Sequence, residues 1–174
     1  GLSGRVADLE RRAWRNGKYT RELPDEQLLG RLLAWRMGSD FLSRLMPLAR
    51  ERIDRLDQFV PLTEYFFSGD LDYEPVAAKL VPKKRAPKET AKMVGKLVDR
   101  LDGLRQWTPE ALETVCREFC EQEGWKPEEV FTTVRIAVAG RTAAPPLCDT
   151  MSVVGREACR WRLRQAMAFI KRQK

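Results

Sequence analysis

Two arginines, Arg135 and Arg141, flank a glycine in the stretch RIAVAGRTAAPPLCDTM, residues 135–151, and a double proline precedes Leu147. A guanidinium offers only donors, held in a rigid fork, so such residues suit a phosphate or the acceptor edge of a base rather than proton transfer. Another, Arg52, stands in ARERID; Arg156, Arg160 and Arg164 recur at four-residue spacing near the C-terminus; and VPKKRAPK adds Lys83, Lys84 and Arg85. Acid–base and nucleophilic chemistry is poorly supplied by comparison. The chain contains no histidine, which removes Ser-His, Cys-His and His-metal arrangements together with the commonest general base at neutral pH. No phosphate-cradling glycine pattern and no distinctive pair of carboxylates replaces them, so no catalytic residue is assigned. Cys116 and Cys120 share a helix face, but neither they nor Cys148 and Cys159 show zinc-ligand spacing; buried reduced thiols are expected and no metal site.

Charge narrows the class of partner. The 174 residues carry 32 Lys/Arg against 25 Asp/Glu, a net charge of +7. Residues 79–105 hold nine basic residues against three acidic, residues 131–174 nine against two, and residues 106–130 only two against seven. Basicity gathered into blocks is the footprint of a polyanion binder such as RNA; the competing readings are solvated helix faces and a stand-alone helical module that binds an acidic protein. No run approaches the roughly 18 apolar residues of a membrane helix, and GLSGRVADLERR lacks the apolar core of a signal peptide. A cytoplasmic protein with no membrane contact is expected.

The elements that must aim these side chains read almost entirely as helices, because apolar residues recur at three- and four-residue spacing and strict alternation is nowhere sustained. The expected fold class is all-α. DEQLLGRLLAWRM sets Leu28, Leu32 and Trp35 on one face, and Pro47 is expected to kink or divide a helix that opens near Ser39. TPEALETVCREFCEQEG has Thr108 as cap, Pro109 in its first turn and Gly124 as its stop, and the next helix repeats that grammar from Pro127 to Gly140. The last helix carries Cys159, Leu163, Met167 and Ile170 as its apolar set, with Arg156, Arg160 and Arg164 as a separate basic stripe. Trp161 could stack on a base, though covering a neighbouring helix is the better reading. A composition shift between residues 68 and 88 divides the chain into two small helical subdomains packed side by side, residues 1–80 and 81–174.

Several landmarks fall in a telling order: WRNGKYTREL at 14–23, LARERIDRLDQF at 48–59, LTEYFF at 62–67, WTPEALE at 107–113 and VRIAVAGRTAAPPLCDTMSVVGRE at 134–157. In that order and spacing they resemble the anticodon-binding half of bacterial glutamyl-tRNA synthetases, class I aminoacyl-tRNA synthetases. The resemblance implies an α-helical cage that holds the anticodon arm of a tRNA. It also implies an upstream catalytic region, which uses ATP and Mg and whose signatures are missing from this chain. The chain would then be a C-terminal portion that binds tRNA but does not aminoacylate.

Residue by residue, the resemblance implies that Arg52 reads the third anticodon base. Cytosine offers acceptors on its pairing edge where guanine offers donors, so a guanidinium favours the C of a glutamate tRNA over the G of a glutamine tRNA. A non-discriminating enzyme that also charges tRNA(Gln) is the second reading within the family. Arg135 would approach the first two anticodon bases, with Ala144 and Leu147 packing against them. The family pattern is broken at Ala139, Ala144, Pro146 and Cys148, where threonine, a hydroxyl residue, a small residue and phenylalanine are usual. Arg15, Lys18 and Arg21 resemble residues at the junction with the catalytic body, where phosphates are met. The further candidates for backbone phosphates are Lys83, Lys84, Arg85, Arg141, Arg156, Arg160 and Arg164. The expected partners are tRNA(Glu) and the catalytic domain of the same synthetase, in a monomer.

Overall fold

The computed structural model of the chain describes residues 17–173, whose regular structure is all helical, with no strand among them. They fall into two compact units that divide between Ser43 and Arg44.

The first unit holds α1 (residues 17–22), α2 (Asp25–Leu32), a π-helical turn over Leu33–Met37 and the start of α3 (Ser39–Arg50). Its internal ties include cation–aromatic contacts. Arg31 donates to the Tyr19 hydroxyl at 2.8 Å and lies over that ring, and Arg36 covers both Trp35 and Phe41. No residue of α2 is buried, so the face formed by Leu28, Leu32 and Trp35 is not a core face; Trp35 keeps 54% of its surface. Pro47 does not divide α3, which continues to Arg50. Proline removes only one amide donor from the ladder, and three more residues suffice to finish the turn.

The second unit contains a 3₁₀ turn (Leu56–Gln58), α4 (Phe59–Phe67), a 3₁₀ turn (Glu74–Val76), α5 (Ala77–Leu80), α6 (Pro87–Asp102), α7 (Pro109–Glu123), α8 (Pro127–Ala139), α9 (Leu147–Val154) and α10 (Arg156–Arg172). Punctuation in the sequence sets the limits of α7 and α8. The Thr108 hydroxyl accepts from the Ala111 amide at 3.3 Å, and Gly124 and Gly140 close the two helices in the left-handed region. The core forms where α6 packs on α10 and where α8 runs between α5, α7, α9 and α10. Val94, Leu97 and Leu101 of α6, Val130, Val134 and Ile136 of α8, and Leu163, Ala166 and Ile170 of α10 are fully buried. Each large aliphatic side chain so placed contributes roughly 1.5–3 kcal/mol.

Polar groups tie the irregular segments to that core. Arg162, only 1% exposed, donates to Val138 O of α8 at 2.7 Å and to Tyr65 O and Ser68 O at the end of α4, each at 2.6 Å. Those carbonyls are the unsatisfied C-terminal acceptors of two helices, so one guanidinium caps both. The Tyr73 hydroxyl lies 2.8 Å from Ala137 O and 3.0 Å from Arg162 O, and Thr133 donates to Leu80 O at 3.1 Å. Residues 68–88, read from composition as a boundary, therefore lie inside the second unit, with Tyr73 and Leu80 buried in it.

Candidate nucleic-acid interface

The C-terminal end of α8, the loop 141–146 and the first turn of α9 converge on one region of the second unit. The left-handed turn at Gly140 (φ 67°) ends α8, and its amide closes on Ile136 O at 2.8 Å. A side chain there would make only ordinary contact with Leu71, its Cβ 3.5 Å away, but would strain the left-handed backbone. Pro145 is buried, and Pro146 occupies the cap position of α9, so the loop is fixed before Leu147 begins the helix. Leu147 is 4% exposed and Ala144 half-buried, which makes them the packed wall of this turn.

Arg135 emerges from α8 beside that wall. Its Nε is buried and has no hydrogen-bond partner among the described residues. Its charge reaches the Cys148 thiol in the first turn of α9, where it and Arg117 oppose the stronger influence of burial and of Glu113 and Asp149. Arg52 lies in the turn after α3, exposed, with its backbone amide on Ala49 O at 2.9 Å. Among the described residues its side chain makes no ion pair, neither with Glu51 nor with Asp54. The Arg52 and Arg141 guanidinia both act on the phenol of Tyr65, whose ionisation is pushed up mainly by burial and pulled down by Thr150 and by those charges. The charges of Arg52 and Arg141 thus act together on Tyr65, and that of Arg135 acts on Cys148 at the start of α9. Tyr65 and Thr150 are members of this region that the sequence did not single out; Thr150 is 1% exposed and its hydroxyl lacks a geometric hydrogen bond.

The remaining arginines are built into the fold to different degrees. Arg141 donates to Pro61 O at 2.9 Å, pairs with Glu64 and lies over the Tyr65 ring, so it locks the loop to α4. Arg156 donates to Leu104 O at 2.6 Å and covers Trp107, while Arg160 pairs with Asp102 and Glu157. Arg164, 53% exposed in its side chain, stands 3.6 Å from the same Asp102. Arg85 is held by Glu89 and Glu129 over the face of Trp125, and both pairings hold Arg85's proton more firmly than usual. Lys83 and Lys84 are exposed. In the first unit Lys18 is exposed, 3.7 Å from Glu22, and Arg21 is exposed; Arg15 lies outside the described residues. Trp161 neither covers a helix fully nor stands alone: it keeps 51% of its surface and donates to Asp70 at 2.9 Å.

The four cysteines are free and buried. Burial holds the Cys116 thiol up at about 12, reinforced by Cys148, Cys120 and Glu113, and Cys148 at about 11. Native protein should therefore resist alkylation by iodoacetamide at pH 8, with Cys116 and Cys148 labelled only on unfolding; rapid labelling of either in the folded chain contradicts this. The sign for stability follows. Unfolded thiols ionise near pH ~8.5, so the stability gained by keeping these two neutral is whole below that pH and is lost as pH climbs toward 11–12. Among the described residues no group of His, Cys, Asp and Glu could hold a metal ion, and no helix is long and apolar enough to cross a membrane.

Comparison with known proteins adds to this geometry. A family model described as an anticodon binding domain matches residues 27–167. The chain is 29% identical over 169 residues to a glutamate–tRNA ligase of Stutzerimonas stutzeri (strain A1501), covering 97% of this chain and 34% of that protein. It is 35% identical over 171 residues to the glutamate–tRNA ligase of Chloroflexus aurantiacus, covering 90% of this chain and 34% of that protein. It also resembles the crystal structure of a glutamate tRNA ligase from Elizabethkingia meningosepticum, with a TM-score of 0.67 at 20% identity, over 90% of this chain and 32% of that one; at that identity the likeness concerns the fold. The chain spans about a third of the length of the curated relatives it matches.

Proposed function

This chain belongs to the anticodon-binding domain family, and from that premise we propose that it recognises the anticodon arm of a glutamate tRNA. In this reading a catalytic region of a longer protein, using ATP and Mg, attaches glutamate to the acceptor end; the relatives are named glutamate–tRNA ligases. The chain acts as a monomer in the cytoplasm, and its own residues bind and orient RNA without making or breaking bonds. Arg135, Ala144 and Leu147 hold the first two anticodon bases, and Arg52 reads the third.

The observation that carries the reading is the state of two guanidiniums. Arg135 keeps a buried Nε without a partner beside an apolar wall, and Arg52 stands exposed without an ion pair. In a chain whose other arginines at this end are largely consumed by internal carbonyls and carboxylates, those two retain donors for a ligand. Unstacked bases of a single-stranded loop supply what such a place lacks, acceptor edges together with flat apolar faces. Neither general base nor metal enters this task.

The test is a binding comparison at fixed salt. A labelled anticodon stem-loop of a glutamate tRNA should bind at least about tenfold more tightly than an unrelated hairpin of equal length and charge, since phosphate contacts alone carry no sequence information. Equal affinity for the two hairpins would remove the reading.

A further inference from the structure

Away from the α9 region, a groove of about 440 Å³ opens between the α5–α6 connection and the N-terminal half of α8. Lys79, Lys83, Lys84 and Lys126 line it, with Glu128 and Thr132 on the α8 side. All four lysines are exposed, and among the described residues none makes an ion pair. The neighbouring acid Glu129 is already neutralised by Arg85, whose guanidinium lies 3.1 Å from it and holds its carboxyl below the usual carboxylate range. The four ammonium groups therefore face Glu128 and a Glu129 whose charge is shared chiefly with Arg85 and secondarily with Lys126.

The turn that presents two of them, Lys83 and Lys84, is not loose. The Arg85 amide closes a turn on Pro82 O at 2.9 Å, and the Arg85 side chain pins that turn to Glu89, to Glu129 and to the face of Trp125, 4.1 Å from the ring centre. Lys83 and Lys84 sit at the centre of this anchored turn. The arginine spends its donors on the fold, while the lysines beside it spend none.

The groove is also continuous with the interface already described. Glu128, Thr132 and Arg135 stand at i, i+4 and i+7 on α8, hence on one helix face, and span about 10 Å along the axis. Side chains of a helix lean toward its N-terminus, so Arg135 leans from the loop-binding end toward the lysines. At roughly 3 Å of helix axis per phosphate on an A-form RNA strand, that length corresponds to about three phosphates.

We propose that this lysine groove, with Lys79, Lys83, Lys84 and Lys126, grips the phosphate backbone of the stem that adjoins the anticodon loop, on the same face of α8 as Arg135. The proposal rests on the anticodon-binding reading and assigns to the groove the part of the RNA that carries charge but no sequence. Ammonium groups suit this role as point charges that tolerate small changes of register, whereas base reading needs the fixed fork of a guanidinium.

The test is the salt dependence of stem-loop binding by the full chain and by the triple variant Lys83→Ala, Lys84→Ala, Lys126→Ala. The triple variant should lose about tenfold or more in affinity near physiological salt, and the slope of log affinity against log salt should fall by roughly two units. Its ratio of affinities between the cognate stem-loop and one with a changed anticodon should stay as in the unmodified chain. The corresponding triple Lys→Arg variant should keep the slope. A single-stranded anticodon heptanucleotide, which lacks the stem, should lose little in the alanine variant. An unchanged slope and affinity for the stem-loop overturns the groove while leaving anticodon recognition standing. No stem-loop binding by the unmodified chain overturns both. Poly-glutamate that competes as well as the stem-loop, and in a lysine-dependent way, overturns it in favour of an acidic protein ligand.

Discussion

Replacing Arg162 with methionine is expected to lower the stability of the chain by about 3–5 kcal/mol, among the large effects of a single change. The side chain is 1% exposed and its terminal nitrogens meet Val138 O, Tyr65 O and Ser68 O at 2.6–2.7 Å. Methionine fits the hole with little change in volume and avoids the cost of burying a charge. It leaves three helix-terminal carbonyls without a donor, however, and each buried acceptor abandoned in this way costs roughly 1–3 kcal/mol. For a chain of this length, that corresponds to a fall in Tm of about 10 °C. Arg162→Lys should recover only part of the loss, because one ammonium on a thinner stem cannot reach two helix ends with the geometry of the fork. Urea or thermal unfolding measures both variants; a loss below about 1 kcal/mol for Arg162→Met would show that water replaces the guanidinium and that the staple is not what joins α4, α8 and α10.

Arg135→Leu should separate binding from stability. Affinity for the cognate anticodon stem-loop is expected to fall about ten- to a hundredfold, matching the roughly 1–3 kcal/mol of a good base contact by a charged donor. Stability should hold or rise slightly, since the variant removes a buried Nε that has no partner in the folded chain. Arg141→Gln is the informative contrast. Its donors are already taken by Pro61 O and Glu64, so its loss should appear first as lower stability of the loop against α4. Isothermal titration with thermal unfolding on the same samples distinguishes the two patterns. An Arg135→Leu chain that binds normally would assign the ligand-facing role elsewhere.

The helices were readable where the chain marks their ends chemically. Thr108, Pro109 and Gly124 bound α7, and Pro127 and Gly140 bound α8, because a cap and a left-handed stop are local devices that need no knowledge of the rest of the fold. Arg162 was not readable from its residue type. It sits three residues after Cys159 and one before Leu163, in the register of the buried face of α10, but the sequence marks only Arg156, Arg160 and Arg164 as a stripe, and nothing local gives Arg162 a partner until the ends of α4 and α8 are seen to meet it. Tyr73 was hidden for the same reason, since its partners Ala137 O and Arg162 O are 64 and 89 residues away. A Gly/Asp-rich stretch around it looked like a boundary, and the units divide at Ser43 instead.

The candidate site was half legible. Arg52 and Arg135 are marked by their neighbours in the sequence, and both retain donors in the structure. What sequence cannot show is which cations are spent. Lys83, Lys84 and Arg85 are adjacent and alike in charge, but Arg85 closes an internal network around Trp125 while the two lysines remain at the surface. The same division separates Arg156 and Arg160, committed to Leu104 O and Asp102, from the more exposed Arg164. Pairing depends on which carboxylate or carbonyl the folded backbone brings within reach, and that is a long-range property.

The central claim is that this chain reads an anticodon, with Arg52 on its third base. One titration tests it most directly: stem-loops identical except for a final anticodon base of C or G, measured at the same salt on the chain as it stands and on Arg52→Gln. The loop ending in C should bind the unmodified chain about ten- to a hundredfold more tightly than the loop ending in G, and the preference should shrink toward unity in Arg52→Gln, whose amide can both donate and accept. Equal affinity of the unmodified chain for the two loops would contradict the account.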